Sequence, residues 1–190
     1  MVKKLALTFD DGPDEAVTPR LLDLLRAASA TATFFPIAPR AQALPALVGQ
    51  TLDDGHTVGL HCDEHVRHSA RGPQWGRNDT RRALARLRAL GVAPTLWRTP
   101  WGATAEWTAP LAAEHGLRLV GWTVDTHDWR GDQANAIFAA TRNLLTADAI
   151  VLAHDGIGPG ARRRDATETL AYVELALEHA RGRGLDVKAL

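Results

Sequence analysis

Two short runs of the sequence contain residue types that bind metal ions. The first is DDGP at residues 10–13, and the second places His61 and His65 four residues apart. Asp-Gly-Pro is by itself typical of a turn, but two adjacent carboxylates repel each other unless a cation neutralises them. Two imidazoles and one carboxylate suit zinc and leave positions for water and substrate. HxxxH alone is a weak signal, so the predicted metal site of Asp11, His61 and His65 requires that the two runs meet in space.

Two later runs join a charged side chain to a tryptophan. They read RTPWG at residues 98–102 and DTHDW at residues 125–129. Tryptophan rings stack on sugars through the same apolar face that serves in a core, and six tryptophans against one tyrosine suit a carbohydrate ligand. His154 follows an apolar run and has a pKa range suited to general acid catalysis. Taken singly, a surface salt bridge for Arg98 and a structural role for His154 are the simpler explanations.

The elements that must position these residues alternate between short apolar strands and amphipathic helices. Strand-like runs lie at residues 4–9, 32–37, 57–61, 95–97, 117–124 and 150–153. Helical patterns begin at Thr18 and at Asn78 or Asp79, and others lie at about 105–115, 132–145 and 165–181. This alternation predicts an α/β fold with mostly parallel strands, as an open sheet or a barrel. Because 190 residues are slightly few for eight units, an incomplete (β/α) barrel is favoured over a full one.

Polar or ionisable residues follow almost every predicted strand. They are Asp10 and Asp11 after the first, His61 after the third, Arg98 after the fourth, Asp125 and Asp128 after the fifth and His154 after the sixth. The carboxyl ends of parallel strands meet at one face, where ligands bind. We therefore expect these side chains to converge.

Composition narrows the function classes. With 22 basic and 22 acidic side chains the formal net charge is zero, which removes the broad attraction that nucleic acid or anionic lipid needs. Residues 1–190 fit one domain, expected to be a monomer, and Cys62 has no partner for an internal disulfide. No apolar run suffices for a membrane span or a signal peptide, so a cytoplasmic protein is expected as written, or a secreted one if a leader was removed. The basic run GPGARRR at residues 158–164 indicates a solvated loop rather than a phosphate or carboxylate site.

Five segments taken in order resemble the polysaccharide deacetylase family, also called the NodB-homology domain or carbohydrate esterase family 4. They are residues 8–13, 61–65, 98–102, 125–129 and 152–154, which read TFDDGP, HCDEH, RTPWG, DTHDW and LAH. The resemblance implies a distorted (β/α) barrel and a single catalytic domain over residues 1–190. It also implies metal-dependent hydrolysis of N-acetyl groups on the amino sugars of a chitin-type or peptidoglycan-type glycan. The ion expected is Zn²⁺, with Co²⁺ or Ni²⁺ as alternatives.

The resemblance assigns a role to each matching residue. Asp10 is the general base and Arg98 holds it, while His154 is the general acid and Asp128 orients it. The implied metal ligands are Asp11, His61 and His65. Amide hydrolysis requires an activated water, stabilisation of the oxyanion and protonation of the leaving nitrogen. In the family these residues and the backbone N–H of Trp101 would perform the three tasks.

The implied substrate contacts include two departures from the usual family pattern. Trp129 and Leu152 line the acetyl pocket, and Pro100 and Trp101 lie at the sugar. Trp101 stands where tyrosine or phenylalanine is more usual, which puts the sugar contact in doubt. Cys62 stands in place of a serine or threonine, which puts in doubt the hydroxyl hydrogen bond that braces the metal loop.

Three other functions fit parts of the pattern. The same site could cleave a formyl or an ester group, since the motifs do not measure the acyl pocket. A non-catalytic sugar-binding module could keep the cleft, but it predicts a damaged set of ionisable groups. A phosphoacceptor receiver domain needs an aspartate at the end of the third strand, where His61 stands.

Overall fold

The computed structural model describes residues 3–190, in which strands and helices alternate. The strands are β1 (Lys4–Asp10), β2 (Thr33–Phe35), β3 (Thr57–Val58), β4 (Leu96–Trp97), β5 (Arg118–Leu119), β6 (Val124–Asp125), β7 (Ile150–His154) and β8 (Asp186–Val187). The helices are α1 (Thr18–Ala27), α2 (Ala38–Ala43), α3 (Pro45–Asp53), α4 (Pro73–Ala89), α5 (Thr108–Glu114), α6 (Ala134–Thr141) and α7 (Thr167–Gly182). Short 3-10 turns lie at His68–Ala70, Pro100–Gly102 and Asp128–Arg130.

The main sheet is built around β1, which is buried along its whole length after Lys4. Its strand order is β3-β2-β1-β7-β6, and β8 also pairs with the start of β1. Every registered pair in the described residues is parallel. Both faces of β1 are buried, because Leu5, Leu7 and Phe9 pack in the apolar core with α1 and α7, while Thr8 and Asp10 contact the buried Arg98 on the other face.

The second sheet contains β4 and β5 and continues the curve of the first. A bridge between Leu60 and Trp97 connects it to the chain after β3. Within residues 3–190 no strand pairing closes the opening between β5 and β6. The predicted α/β fold, a distorted and incomplete (β/α) barrel with mostly parallel strands, is therefore confirmed.

Two sequence predictions about elements are wrong. Residues 117–124 form two short strands in different sheets rather than one strand, because the chain leaves the sheet at Gly121, a residue that weakens a strand interior. Helix α4 begins at Pro73 and not at Asn78 or Asp79, since proline at the first turn is compatible with a helix start. Asp79 consequently lies inside the helix.

Helices pack against the sheets in two large apolar cores. Helices α1 and α7 pack on the main sheet through buried residues such as Leu21, Leu25 and Val173. Helices α4 and α5 bury Leu84, Leu87 and Leu111 against the other part of the barrel. In the part of the chain that the structure covers, none of the helices has both the length and the apolar character of a membrane crossing.

Candidate active site and metal centre

A cleft of about 390 Å³ opens where the carboxyl ends of the strands meet. Its wall includes Asp10 and Asp11 after β1, His61 and His65 after β3, and His154 at the end of β7. These residues come from segments that are far apart in the sequence. Five of the seven strand-end residues expected to converge line this cleft, namely Asp10, Asp11, His61, Asp125 and His154, while Arg98 and Asp128 contact two of them from outside its lining.

Asp11, His61 and His65 meet inside this cleft. Oδ1 of Asp11 lies 3.4 Å from Nε2 of His61 and 3.2 Å from Nε2 of His65. One potential ligand atom from each of the three residues lies within 4.8 Å of the other two. The side chains of all three are at most 7% exposed. The arrangement can hold one ion against three protein ligands.

The hydrogen bonding of the three residues fits a cation. Nδ1 of His61 lies 2.7 Å from the carbonyl oxygen of Arg98, which can only accept, so Nδ1 carries the proton and Nε2 offers a lone pair. Oδ1 of Asp11 is buried and has no hydrogen-bond partner in residues 3–190. The lone pair on Nε2 of His61 and the negative Oδ1 of Asp11 repel each other unless a positive charge lies between them. The donor set therefore fits a divalent metal.

The pKa shifts show the same preference for positive charge. Burial raises the pKa of Asp11, but its interactions with His61 and His65 outweigh burial and hold this pKa well below its usual range. Burial lowers the pKa of His61, but the charges of Asp10 and Asp11 raise it above its ordinary value. The field at this position stabilises a cation, either a proton or a metal ion.

Helix α4 braces the loop between His61 and His65. The Asp79 carboxylate accepts the backbone N–H of Asp63 at 3.1 Å and that of Glu64 at 2.7 Å. Two arginines one helical turn apart complete the contact, since Nε of Arg82 and Nε of Arg86 each lie 2.7 Å from the Asp63 carboxylate. These arginines neutralise the acidic group formed by Asp63, Glu64 and Asp79.

Cys62 does not act as a metal ligand in this geometry. It is buried, and burial raises the pKa of its thiol well above the usual value, so the group is a neutral thiol. The loop is held through the backbone instead, because Asp79 binds the two N–H groups that follow Cys62. Sequence reasoning missed Asp79, which it placed at a helix start.

Arg98 is fully buried and contacts Asp10, so a surface salt bridge is excluded for it. Its Nη1 donates to Oδ1 of Asp10 at 3.0 Å and to the Thr8 hydroxyl at 2.7 Å, and its Nη2 donates to the carbonyl of Gly121 at 2.9 Å. The guanidinium thus connects β1 with the chain that leaves β5. The contact places the Asp10 carboxylate beside a buried, permanently charged partner.

His154 forms an ion pair with Asp128. Nδ1 of His154 lies 2.7 Å from Oδ1 of Asp128, and its backbone N–H donates to Oδ2 at 3.0 Å. Burial lowers the pKa of His154, but Asp128 and the more distant Asp10 and Asp11 raise it to about 9. Burial raises the pKa of Asp128, but His154, Arg163 and Thr169 lower it to about 2.

Arg163 supports Asp128 from the basic loop at residues 158–164. Its Nη1 donates to Oδ2 of Asp128 at 2.8 Å, and its Nη2 donates to the carbonyls of His154 at 2.9 Å and Gly156 at 3.0 Å. Thr169 donates its hydroxyl to the same Oδ2 at 2.7 Å. The prediction of a wholly solvated loop is wrong for Arg163, because a buried carboxylate next to a histidine requires further donors. The run of three arginines at residues 162–164 was the feature of the sequence that could have indicated a role for Arg163.

Asp10 and His154 face each other across neighbouring strands. They are register partners at the ends of β1 and β7, and both line the cleft that contains Asp11. Directly opposed residues on neighbouring strands have Cα atoms about 5 Å apart. An acid and a histidine therefore flank the three-residue cluster.

The four residues proposed to contact substrate are not equivalent. Trp101, Trp129 and Leu152 line the cleft, whereas Pro100 is buried and lies outside its lining. Trp101 is 40% exposed, which is unusual for a large apolar side chain in this chain. The ring of Trp101 stands edge-on to His65 with ring centres 4.2 Å apart.

Backbone strain is concentrated at the cleft. Among the described residues five non-glycine residues have a positive φ, and three of them, Asp11, Trp101 and His127, line the cleft. A left-handed conformation costs a non-glycine residue about 1–2 kcal/mol, so the surrounding contacts must hold these positions. Gly158 shows how tight the packing is, because a Cβ on it would lie 1.9 Å from Oδ2 of Asp11.

Comparison with known proteins finds one family model and several relatives that match this chain. A model of the polysaccharide deacetylase family matches residues 2–120. The peptidoglycan-N-acetylglucosamine deacetylase PgdA of Listeria monocytogenes is 36% identical over 170 residues, which are 88% of this chain. The chain spans 35% of the length of that curated relative.

Two further similarities cover most of both chains. A chitooligosaccharide deacetylase of a Bradyrhizobium strain is 31% identical over 198 residues, with 99% of this chain and 89% of the relative covered. A family 4 carbohydrate esterase from Streptomyces lividans, solved in complex with acetate, matches with a TM-score of 0.86 and 30% identity. That match covers 97% of this chain and 91% of the esterase.

Proposed function

Because this chain belongs to the polysaccharide deacetylase family, we propose that it is a metal-dependent hydrolase that removes N-acetyl groups from the amino sugars of a polysaccharide or oligosaccharide. Relatives named as deacetylases of peptidoglycan N-acetylglucosamine and of chitooligosaccharides support this class of substrate. The esterase solved with acetate supports it as well, because acetate is the acid that deacetylation releases.

One observation carries the proposal. Asp10 and His154 are register partners on β1 and β7, and both border the cleft beside Asp11. Amide hydrolysis needs a base on the attacking water and an acid on the leaving nitrogen, placed on either side of the same carbonyl. This pair supplies a base and an acid within the same cleft as the ligand cluster.

We assign the metal to Asp11, His61 and His65, with zinc as the first choice and cobalt or nickel as alternatives. Such an ion supplies two things when bound, a lower pKa for water, from 15.7 to about 7, and polarisation of the acyl oxygen. The hydrogen bond from His61 to the Arg98 carbonyl fixes the ring orientation for this task.

Asp10 acts as the general base. Arg98, 3.0 Å away, fixes the direction of its carboxylate, so that it can accept a proton as water attacks the acetyl carbonyl. The negative charge that develops on the carbonyl oxygen requires a donor, which we assign to the backbone N–H of Trp101. One such donor contributes about 3–4 kcal/mol to transition-state stabilisation in a dry site.

His154 acts as the general acid. Its raised pKa, about 9, keeps the ring protonated at neutral pH, and Asp128 holds Nδ1 so that Nε2 carries the proton to be delivered. Transfer of this proton to the amide nitrogen releases the free amine of the sugar. The acetyl methyl group packs on Trp129 and Leu152, which line the cleft nearby. Pro100 contributes by shaping the turn that carries Trp101.

We also propose that residues 1–190 act as one catalytic domain and as a monomer. Pairing of β8 with β1 joins the two ends of the described chain in one sheet, and every residue assigned above lies in a single chain. Met1 and Val2 lie outside the described residues. The compartment stays a prediction from the sequence.

Acetate release from chitooligosaccharides and from peptidoglycan tests the proposed function. We expect release by the metal-loaded protein, and its loss in Asp10→Asn with metal content unchanged. The matched control is Asp132→Asn, an exposed acid close in sequence to the cleft loops. Release of formate from N-formyl substrates, without release of acetate from N-acetyl substrates, would identify a different acyl group, and binding without release of any acid would identify a sugar-binding module.

A further inference from the structure

In the described residues, three arginines in or beside the cleft have no acidic partner: Arg67 lines the cleft, and Arg130 and Arg162 lie next to Trp129 in its wall. Arg67, Arg130 and Arg162 are exposed, and in the described chain none of their guanidinium groups forms an ion pair or a hydrogen bond to a side chain. Other surface arginines are also free, so lack of a partner is not what distinguishes these three. What they share is their position over two of the three tryptophans that line the cleft, Trp101 and Trp129.

Each of these guanidinium groups lies over a tryptophan ring. The central carbon of Arg67 is 4.6 Å from the ring centre of Trp101. Those of Arg130 and Arg162 are 5.3 Å and 5.8 Å from the ring of Trp129. Such a contact is a cation-π interaction, which at an exposed site contributes about 0.5–1 kcal/mol. In the described residues no hydrogen bond occupies the side-chain N–H donors of these arginines, so the donors are available to a ligand.

A backbone hydrogen bond also fixes the main chain at Arg162, one of the two arginines next to Trp129. The N–H of Arg162 donates to the carbonyl of Trp129 at 2.8 Å, which ties the basic loop to the cleft wall. Pro159 and Ala161 from the same loop line the cleft. Two walls of the cleft, one at Trp101 and one at Trp129, therefore carry fixed positive charge.

Acidic groups at the cleft do not cancel this charge. Asp10 and Asp11 are buried, and Arg98 holds the first while two histidines surround the second. Asp125 is the acid in the wall near Trp129, and its Oδ1 lies 3.1 Å from Nδ1 of His127. Since the whole chain has a formal net charge of zero, the three free arginines make the mouth locally positive.

We propose that the cleft binds a glycan that carries carboxylate groups, with Arg67 on one wall and Arg130 and Arg162 on the other as the carboxylate-binding residues. The inference rests on the proposed function and narrows its substrate. Arginine forms two parallel hydrogen bonds to a carboxylate, and a stacked guanidinium is already oriented for them. An uncharged chitin-type chain offers no group of this kind, whereas peptidoglycan does.

The test compares two forms of one substrate. Soluble peptidoglycan fragments are used with free carboxylates, and the same fragments are used after conversion of these groups to amides. We expect amidation to lower kcat/KM for acetate release about tenfold, since three exposed ion pairs are lost. The difference should shrink near 1 M salt, where the screening length is only about 3 Å.

Variants show whether the three arginines are responsible. In Arg67→Gln/Arg130→Gln/Arg162→Gln the ratio of kcat/KM for the two substrates should fall to about 1. The matched control is Arg88→Gln/Arg118→Gln/Arg181→Gln, which removes the same charge from exposed positions in α4, β5 and α7. It should keep the preference of the unaltered protein.

Two results would overturn the inference. One is an unaltered protein that hydrolyses native and amidated fragments equally, and the other is a control triple variant that loses the preference as fully as the cleft variant does. Absence of acetate release from both fragments would contradict the proposed function instead. In that case, calorimetric titration would give the ratio of the affinities for the native and the amidated fragments. That ratio still shows whether the cleft binds the carboxylates.

Discussion

Oδ1 of Asp128 lies 2.7 Å from Nδ1 of His154, and both side chains are largely or wholly buried. Each shifts the other, so that the pKa of Asp128 falls to about 2 and that of His154 rises to about 9. The two residues therefore remain an ion pair over the whole neutral range. This pair determines how the activity and the stability depend on pH.

Substitution of Asp128 should move the alkaline limit of activity. His154 must be protonated to act as the acid, so activity falls as pH rises through its pKa. In Asp128→Asn the largest favourable charge is gone, and the pKa of His154 moves down toward its ordinary value of 6.5. We expect lower kcat at pH 8 and an alkaline limb displaced to lower pH in a kcat profile. An unshifted limb would contradict the role of His154, and Asp132→Asn serves as the control.

The same pair should stabilise the fold only within a defined pH window. The pKa of His154 is raised on folding, so its contribution is complete below 6.5 and is lost as pH rises through about 9. The pKa of Asp128 is lowered, so its contribution is complete above 3.8 and is lost as pH falls through about 2. Urea unfolding should show a free energy that declines from pH 6 to pH 10, with a smaller decline in Asp128→Asn. Equal declines in the two proteins would refute this linkage.

Removal of Arg163 should be strongly destabilising. The change Arg163→Met leaves the buried Asp128 carboxylate with fewer donors, and loss of one partner of a buried pair costs about 3–5 kcal/mol. Arg164→Met is the matched control because Arg164 is exposed, and its effect should stay within about 0.5 kcal/mol. Chemical denaturation measures both. Similar free energies of unfolding for the two variants would show that Arg163 does not support the site.

Asp79 should control metal affinity without touching the metal. In Asp79→Asn one of the two backbone N–H groups in the loop between His61 and His65 loses its acceptor. Substitutions in residues that orient metal ligands typically weaken binding by about 10–100-fold. Competition against a chromophoric chelator should detect this loss, while Glu114→Gln, an exposed acid on α5, should bind as the unaltered protein does. Unchanged affinity in Asp79→Asn would exclude the bracing role.

The sequence was sufficient to predict which side chains lie at the carboxyl ends of the strands. In a parallel α/β fold the last residues of all strands lie at the same face. The sequence alone therefore places Asp10, His61, Arg98 and His154 close together. The strand-helix alternation likewise predicted an α/β fold with parallel strands, whereas the choice of a barrel over an open sheet came from the resemblance to the family. These predictions were possible because the residues involved lie at the ends of strands that are recognisable from the local sequence pattern.

Residues that act through other residues could not be found in the same way. Asp79 reads as a helix cap because Asp and Asn favour that position, yet its partners are loop N–H groups 15 and 16 residues earlier. Arg163 lies in a basic run that resembles a solvated loop, and only the folded chain brings it to Asp128. The break at Gly121 was hidden by the apolar residues on both sides of it.

The most direct test of the metal centre is calorimetric titration of zinc into chelator-treated protein, compared with His61→Gln and with the control His115→Gln. We expect one ion per chain, binding at least about 100-fold weaker in His61→Gln, since a ligand and not merely its support is lost. The control should match the unaltered protein. Equal zinc affinity in His61→Gln and the unaltered protein would contradict a centre built from Asp11, His61 and His65.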